Sequence, residues 1–322
     1  MLQPDIELAG PEQVSAEDIG ALNRLFAEAF TDRYHRDGMT GVRVPFLNAE
    51  VWRYAIEDAG EGAMLWRDDG GRLAAFNLVH QSGTEGWMGP LAVRPALQGS
   101  GVGSRVVEAG ITWLERHGAA VIGLETMPRT VENIGFYSRL GFRPGHLTIS
   151  LAKELDRTGA PEARGVRIPG DGGREHNRLV EGCRGLTDRL ASGVDFTRQI
   201  RLTDELGLGG TTVLPGAAGP RGFAVWHQAA LAHGRVADEI RVLKIVAEDL
   251  GAFTELIGSL EDQASALAGV NRVSLRCQTE YGEAYAFLVG AGYRVQWTDL
   301  RMTLASATPP GRAGIVMSNW EI

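Results

Sequence analysis

Three anchors recur at a single spacing of 151 positions: Gly118 with Gly269, Leu124 with Leu275, and Gly141 with Gly292. They sit in matching contexts, "GLETMP" against "SLRCQT" and "LGFR" against "AGYR". Each glycine at the first anchor lies between a helical pattern and a strand pattern. One ungapped offset aligns Trp87–Arg143 with Asp238–Arg294, and both segments continue strand, helix, strand, helix, strand in step. A chain with this internal repeat is a duplicated fold. Its 322 residues are long for one domain and comfortable for two. The polar, Gly/Ala/Pro-rich stretch Asp156–Gly165 reads as the linker, giving domains at 1–156 and 165–322.

The first half reads as β-α-α-β-β-β-α-β-α-β-β. Ile6–Leu8 is strand-like. A helix from about Ser15 through Phe30 puts Ile19, Leu22, Leu25, Phe26 and Ala29 on one face, and a second spans Asn48–Asp58. "GAMLWRDDGGRLAAFNLVHQ" is a hairpin turned at DDGG, and "GWMGPLAV" is a third strand of the meander. "AVIGLETM" is a strand, "TVENIGFYSRL" a short helix, and "GFRPGHLTISLAKEL" supplies two closing strands. The fold class is mixed α/β, with a mostly antiparallel sheet and flanking helices.

The chemistry concentrates in "VRPALQGSGVGSRVVEAGITWL", where Gly99, Gly101 and Gly103 precede an apolar helical face of Val106, Val107, Ile111 and Leu114. Glycines alone read equally as a flexible loop or a tight packing point. At the mouth of a helix they also let an anion reach the unpaired N–H groups of the first turn, where the helix dipole adds attraction. The main chain of Gly99, Ser100, Gly101, Val102, Gly103 and Ser104 is therefore a candidate pyrophosphate cradle. A dinucleotide fingerprint is a rival, but Ser104 stands at its third glycine and an antiparallel meander precedes it. Glu125 lies about where a ribose-binding acid would, so that rival, an NAD-linked oxidoreductase, stays open. No Walker lysine follows the glycines.

The remaining chemistry excludes more than it assigns. The net charge of −8 offers no basic surface for nucleic acid. The two cysteines, Cys183 and Cys277, and seven scattered histidines have no metal-ligand spacing. The N-terminus lacks a signal peptide and no apolar run reaches membrane-spanning length, so a soluble, cytoplasmic protein is expected.

"LAVRPALQGSGVGS" resembles the acyl-CoA-binding motif of the GCN5-related N-acetyltransferases (GNAT): a strand, a short connection, then Q/R-x-x-G-x-G/A into a helix. Gln98, Gly101 and Gly103 fill those places. "ENIGFYSRLGF" resembles the later motif of that family. The resemblance covers Ile6 to about Leu155, and the second half resembles the same fold more faintly. It implies a tandem GNAT protein that uses acetyl-CoA as cosubstrate, with no metal, and acetylates a primary amine by direct attack. The acceptor is a small molecule or a peptide; the chain is a monomer, through its internal pseudo-dimer, or a homodimer. By the same resemblance Leu91, Ala92 and Val93 pair with the pantetheine arm, with the Val93 N–H as oxyanion donor. Tyr137 is the acid that protonates the thiolate, Glu125 the base, and Asn133 a contact to pantetheine. Taken alone, Tyr137 reads as a core ring, Glu125 as a solvated or salt-bridged strand acid and Asn133 as a first-turn residue bonding main chain. The segment Phe30–Met39, read as a loop, offers Arg33, Tyr34 and His35 to the acceptor. An acyl-CoA-responsive binding protein without turnover is the other reading of the glycine loop.

The repeat tests the site. At the same offset Gln98, Gly99, Gly101, Gly103, Glu125 and Tyr137 become Asp249, Leu250, Ala252, Thr254, Arg276 and Leu288. The second half is expected to keep the fold and lose the cofactor site. The tail "RAGIVMSNWEI" reads as one more strand, closing the sheet or reaching the first domain.

Overall fold

A computed structural model describes residues 8–155, 165–170, 172–306 and 311–320. The expected linker at 156–164 and the start of the first expected strand lie outside them. One strand follows instead at Ala9–Gln13 (β1), and a capping box of Ser15 and Asp18 leads into α1, Ile19–Arg36. The helix therefore runs through the segment expected to be a loop: Arg33, Tyr34 and His35 are helical. α2 (Ala49–Ala59) starts at Asn48, whose side chain accepts the Glu50 N–H. Then come β2 (Ala63–Arg67), β3 (Leu73–Ser82), β4 (Glu85–Val93), α3 (Val102–Arg116), β5 (Val121–Thr126), α4 (Val131–Arg139) and β6 (Phe142–Glu154). β6 is a single long strand where two were expected.

The second half repeats the order: β7 (Val166–Arg167), α5 (Arg174–Leu190), α6 (Thr197–Glu205), β8 (Gly209–Leu214), β9 (Gly222–His227), β10 (Glu239–Ala247), α7 (Leu250–Ala266), β11 (Arg272–Gln278), α8 (Gly282–Gly290) and β12 (Arg294–Leu304). A last strand, β13, spans Ile315–Ser318. α4 and α8 correspond at the sequence offset, but the offset is not uniform. Glu85 stands opposite Val121, whereas Glu239 stands opposite Arg272, so β10 slides relative to β4.

All these strands join one sheet in the order β1-β2-β3-β4-β5-β12-β6-β11-β10-β9-β8-β7, with β13 beside β10. The halves have exchanged strands. β12, from the second half, lies between β5 and β6; β6, from the first, lies between β12 and β11. Met302 of β12 is buried with Val106, Leu114 and Leu124 of the first half. Its repeat partner, Leu151 of β6, is buried with Leu256, Leu260 and Leu275 of the second. Each such side chain is worth about 1.5–3 kcal/mol of burial, so each core is completed by the other half.

Helices cover both faces. In the first half α1 and α2 bury Leu22, Trp52 and Ile56 against Phe76 and Leu78, while α3 packs on the opposite face.

Candidate active site

β4 and β5 pair in parallel only over Glu85–Met88 and Val121–Leu124. Beyond that, β4 carries a bulge, since Asn77 faces Leu91 but Val79 faces Met88. The extra residue bends β4 away from its neighbour, and the two strands part. Just past β4 the Arg94 N–H donates to the Ala74 carbonyl of β3, 2.9 Å away. Peptide groups alternate between strand edges, so the Val93 N–H and carbonyl point into the parting. The Val93 carbonyl there accepts the Gln98 side-chain amide at 3.1 Å. Ala92 is buried in the α1/α2 core and Leu91 packs partly against the α3 core, so their side chains are structural.

Gly101 is the N-cap of α3, at φ +89°, with no side chain capping the first turn. Gly99 has φ +80°. No atom approaches the place of a Cβ at either, so both answer a backbone requirement, not crowding. Ser100 bonds its hydroxyl to the Leu97 carbonyl at 2.6 Å, and buried Val102 anchors the helix start. Gly103 has another reason: a Cβ there would lie 3.3 Å from the Phe136 ring. Its bareness brings α4 against the first turn of α3, and α4 carries Tyr137.

The Tyr137 ring packs against Phe136 and Phe142, with centroids 5.0 and 6.1 Å away. Burial pushes its hydroxyl up to about 12. It therefore stays protonated at neutral pH and can donate. Asn133 donates to the Thr126 hydroxyl at 3.4 Å, tying α4 to the end of β5.

Glu125 has a different occupation from the expected one. Its side chain is wholly enclosed at the junction of the halves. Arg301 of β12 donates to it at 2.8 and 3.0 Å, Arg276 at 3.3 Å, and the Thr148 hydroxyl at 2.5 Å. Three of these bonds converge on Oε1, and the side chain has no exposed surface. The Arg301 guanidinium lies 3.8 Å over the Trp320 ring, which in turn donates to buried Glu85. That ring fills the space over Gly123, where a Cβ would come within 2.1 Å of it. The tail thus does both things expected of it: β13 joins the sheet, and Trp320 reaches the first half.

The segment expected to shape the acceptor side packs on α4. Arg33 pairs with Asp37 at 2.7 Å and Glu132 at 2.6 Å, and Tyr34 meets Trp297 edge-on. His35 bonds the Val42 carbonyl.

The corresponding region of the second half is closed. Only Glu248 and Asp249 connect β10 to α7, against Arg94–Gly101 in the first half. Asp249 is the N-cap, and its carboxylate accepts the Ala252 N–H at 2.8 Å. The parting between β10 and β11 is filled by β13, which pairs with Lys244–Ala247. Sequence reasoning missed this plug and the exchanged strands.

Among the described residues no His/Cys/Asp/Glu cluster could hold a metal, and no helix is long and apolar enough to cross a membrane. Residues 21–142 match the model of the acetyltransferase (GNAT) family. No curated protein matches the chain. A putative acetyltransferase from Pyrococcus horikoshii is similar in fold, with TM-score 0.68 and 14% identity over 99% of this chain and 95% of that one. A GCN5-related N-acetyltransferase from Sphaerobacter thermophilus gives 0.60 and 19% over 99% and 100%. A tandem GNAT protein from the clavulanic acid biosynthesis pathway gives 0.60 and 13% over 94% and 99%. Residues 21–142 thus belong to the acetyltransferase (GNAT) family, within a chain that has the tandem GNAT fold.

Proposed function

We propose that the protein is an N-acetyltransferase with one working site, in its N-terminal half, moving an acetyl group from acetyl-CoA to a primary amine. The family supports acyl-CoA-dependent N-acyl transfer in general. The observation that carries the finer reading is the uncapped first turn of α3 beside the parted strands β4 and β5, with α4, the helix bearing Tyr137, packed on that turn through Phe136.

The α3 amides take the pyrophosphate, and pantetheine lies along the free edge of β4. The amine lone pair attacks the thioester carbonyl. The Val93 N–H meets the oxyanion that forms. The C–S bond then breaks, and the departing thiolate takes the Tyr137 proton. The resulting phenolate recovers a proton from the acetylated ammonium, which closes the cycle. Glu125 has no step here; it holds the halves together. The C-terminal half binds no acetyl-CoA, because Asp249 and β13 occupy the places the cosubstrate would need.

The test mixes the whole chain with acetyl-CoA and a panel of primary amines, following thiol release and product mass. Acetylated product with one equivalent of cosubstrate site per chain supports the reading. A thermal shift with acetyl-CoA but no thiol release from any amine replaces it with a non-catalytic acyl-CoA sensor, and a shift with NAD alone replaces both.

A further inference from the structure

The two exchanged strands are held unequally. In the second half the β11–β6 ladder runs to Gln278 opposite Thr148. Thr279 prolongs it: its N–H donates to the Leu147 carbonyl at 2.9 Å, and its hydroxyl accepts the Leu147 N–H at 3.2 Å. In the first half the β5–β12 ladder stops at Thr126 opposite Leu300. At the repeat offset Pro128 stands in the place of Thr279, and Thr298 in that of Leu147. Proline has no N–H and no hydroxyl, so the lock cannot form. A cleft of about 320 Å³ opens instead, between Met127–Arg129 and Val295–Thr298.

This cleft begins one residue past the end of β5 and just ahead of α4, the helix bearing Tyr137. Its outer wall comes from the C-terminal half. Trp297 and Val295 leave 37% and 48% of their surfaces exposed, unusual for large apolar residues on a strand. Trp297 is nonetheless fixed. Tyr34 meets it edge-on at 6.0 Å, and its indole N–H donates to Asp299 at 3.2 Å. Among the described residues no carboxylate lines the cleft, whereas Arg129 does, donating to the Asp37 carbonyl. A polycation would meet no counter-charge there. Among the described residues no strand pairs with the Thr298 edge of β12 on the cleft side, so an extended amide can lie along it as an added strand.

We propose that this cleft binds the body of the acceptor, a primary amine whose carbon skeleton carries an amide and an aromatic or branched apolar side chain, with Trp297 as its specificity determinant. The proposal rests on the acetyltransferase reading above. It also gives the second half a purpose, since β12 walls the acceptor site of a reaction whose cosubstrate the second half does not bind.

The test uses the full chain, acetyl-CoA, and two acceptors, L-phenylalaninamide and spermidine. Wild type should prefer L-phenylalaninamide. Trp297→Ala, and Pro128→Thr, which restores the lock, should each raise its KM about tenfold or more. The KM for acetyl-CoA should stay within about twofold, and Trp297→Phe should recover most of the loss. A preference for spermidine, or an unchanged L-phenylalaninamide KM in both variants, overturns the cleft and leaves the acetyltransferase reading standing. Calorimetry with L-phenylalaninamide separates the converse. Binding that Pro128→Thr abolishes, in a protein releasing no thiol with any amine, keeps the cleft and sinks the acetyltransferase reading.

Discussion

The mouths of α3 and α7 are the same place in a duplicated fold, arrived at by opposite means. α3 is reached through a long glycine loop and starts on a bare Gly101; α7 follows β10 almost at once and starts on Asp249. Beside α3 the strands part and stay open, while beside α7 the same parting is filled by the chain's own β13. A helix N-terminus attracts an anion in either half. In the first half no side chain caps the helix, and in the second Asp249 does. What distinguishes the two halves is therefore whether the chain answers its own unpaired groups.

Breaking the plug is the severest test of that contrast. Removing residues 312–322 strips Ile315, Val316, Met317 and Trp320 from buried positions. At about 1.5–3 kcal/mol per side chain this approaches the whole stability of an ordinary domain. Loss of the cooperative melt by circular dichroism is expected; a melt like that of the intact chain would show β13 to be dispensable. Next, Tyr137→Phe should lower kcat/KM about 10²–10⁴-fold with acetyl-CoA affinity nearly intact, measured by steady-state kinetics beside calorimetry. Leu288 holds its place in the second half, so only the first half should show this split.

The contrast can also be copied across. Gly101→Asp puts a carboxylate at the α3 mouth, as Asp249 does for α7, and should weaken acetyl-CoA binding by about tenfold or more with the fold retained. Asp249→Gly should cost at most about 1 kcal/mol and create no second site, because β13 and the short connection remain. The smallest effect concerns Lys244, enclosed where β10 meets β13 and donating to Ser318 and the Asn319 carbonyl. Burial lowers its ammonium from 10.5 to about 8. Between those values the unfolded chain binds a proton that the folded one does not, so this group makes stability rise with pH. Lys244→Met should flatten that rise by a few degrees of melting temperature across pH 8 to 10.5, checked by paired melts.

Much of this is readable in the residues. The duplication, the meander, the glycine loop and the helix-mouth contrast all follow from local pattern, and local pattern is what a sequence displays. The tertiary choices are less visible. The segment Phe30–Arg36 carries no glycine or proline, yet its charged residues suggest a loop; Arg33 pairing with Glu132 of α4 and Tyr34 meeting Trp297 of β12 keep it helical. β6 is one strand and not the expected two, because a long strand crossing from one half to the other has no local signature. Glu125 is the most instructive case. Its partner in the repeat is Arg276. Opposite charges at equivalent positions are what residues meeting on a pseudo-two-fold axis need, and the two do meet, at 3.3 Å. The same pair of letters that suggests a lost base in the second half also spells a contact between the halves, and the contact is what the fold contains.

The exchange of β6 and β12 bears on how the molecule comes to exist at all. A ribosome that has released residues 1–156 has delivered β5 but not the neighbour that β5 requires, which arrives only with Arg294–Leu304. Until then the nascent first half carries a raw sheet edge, the kind of surface that strays to other chains. Synthesis must run through β12 before either half is finished, so a cut between the halves leaves each without the strand it takes from the other.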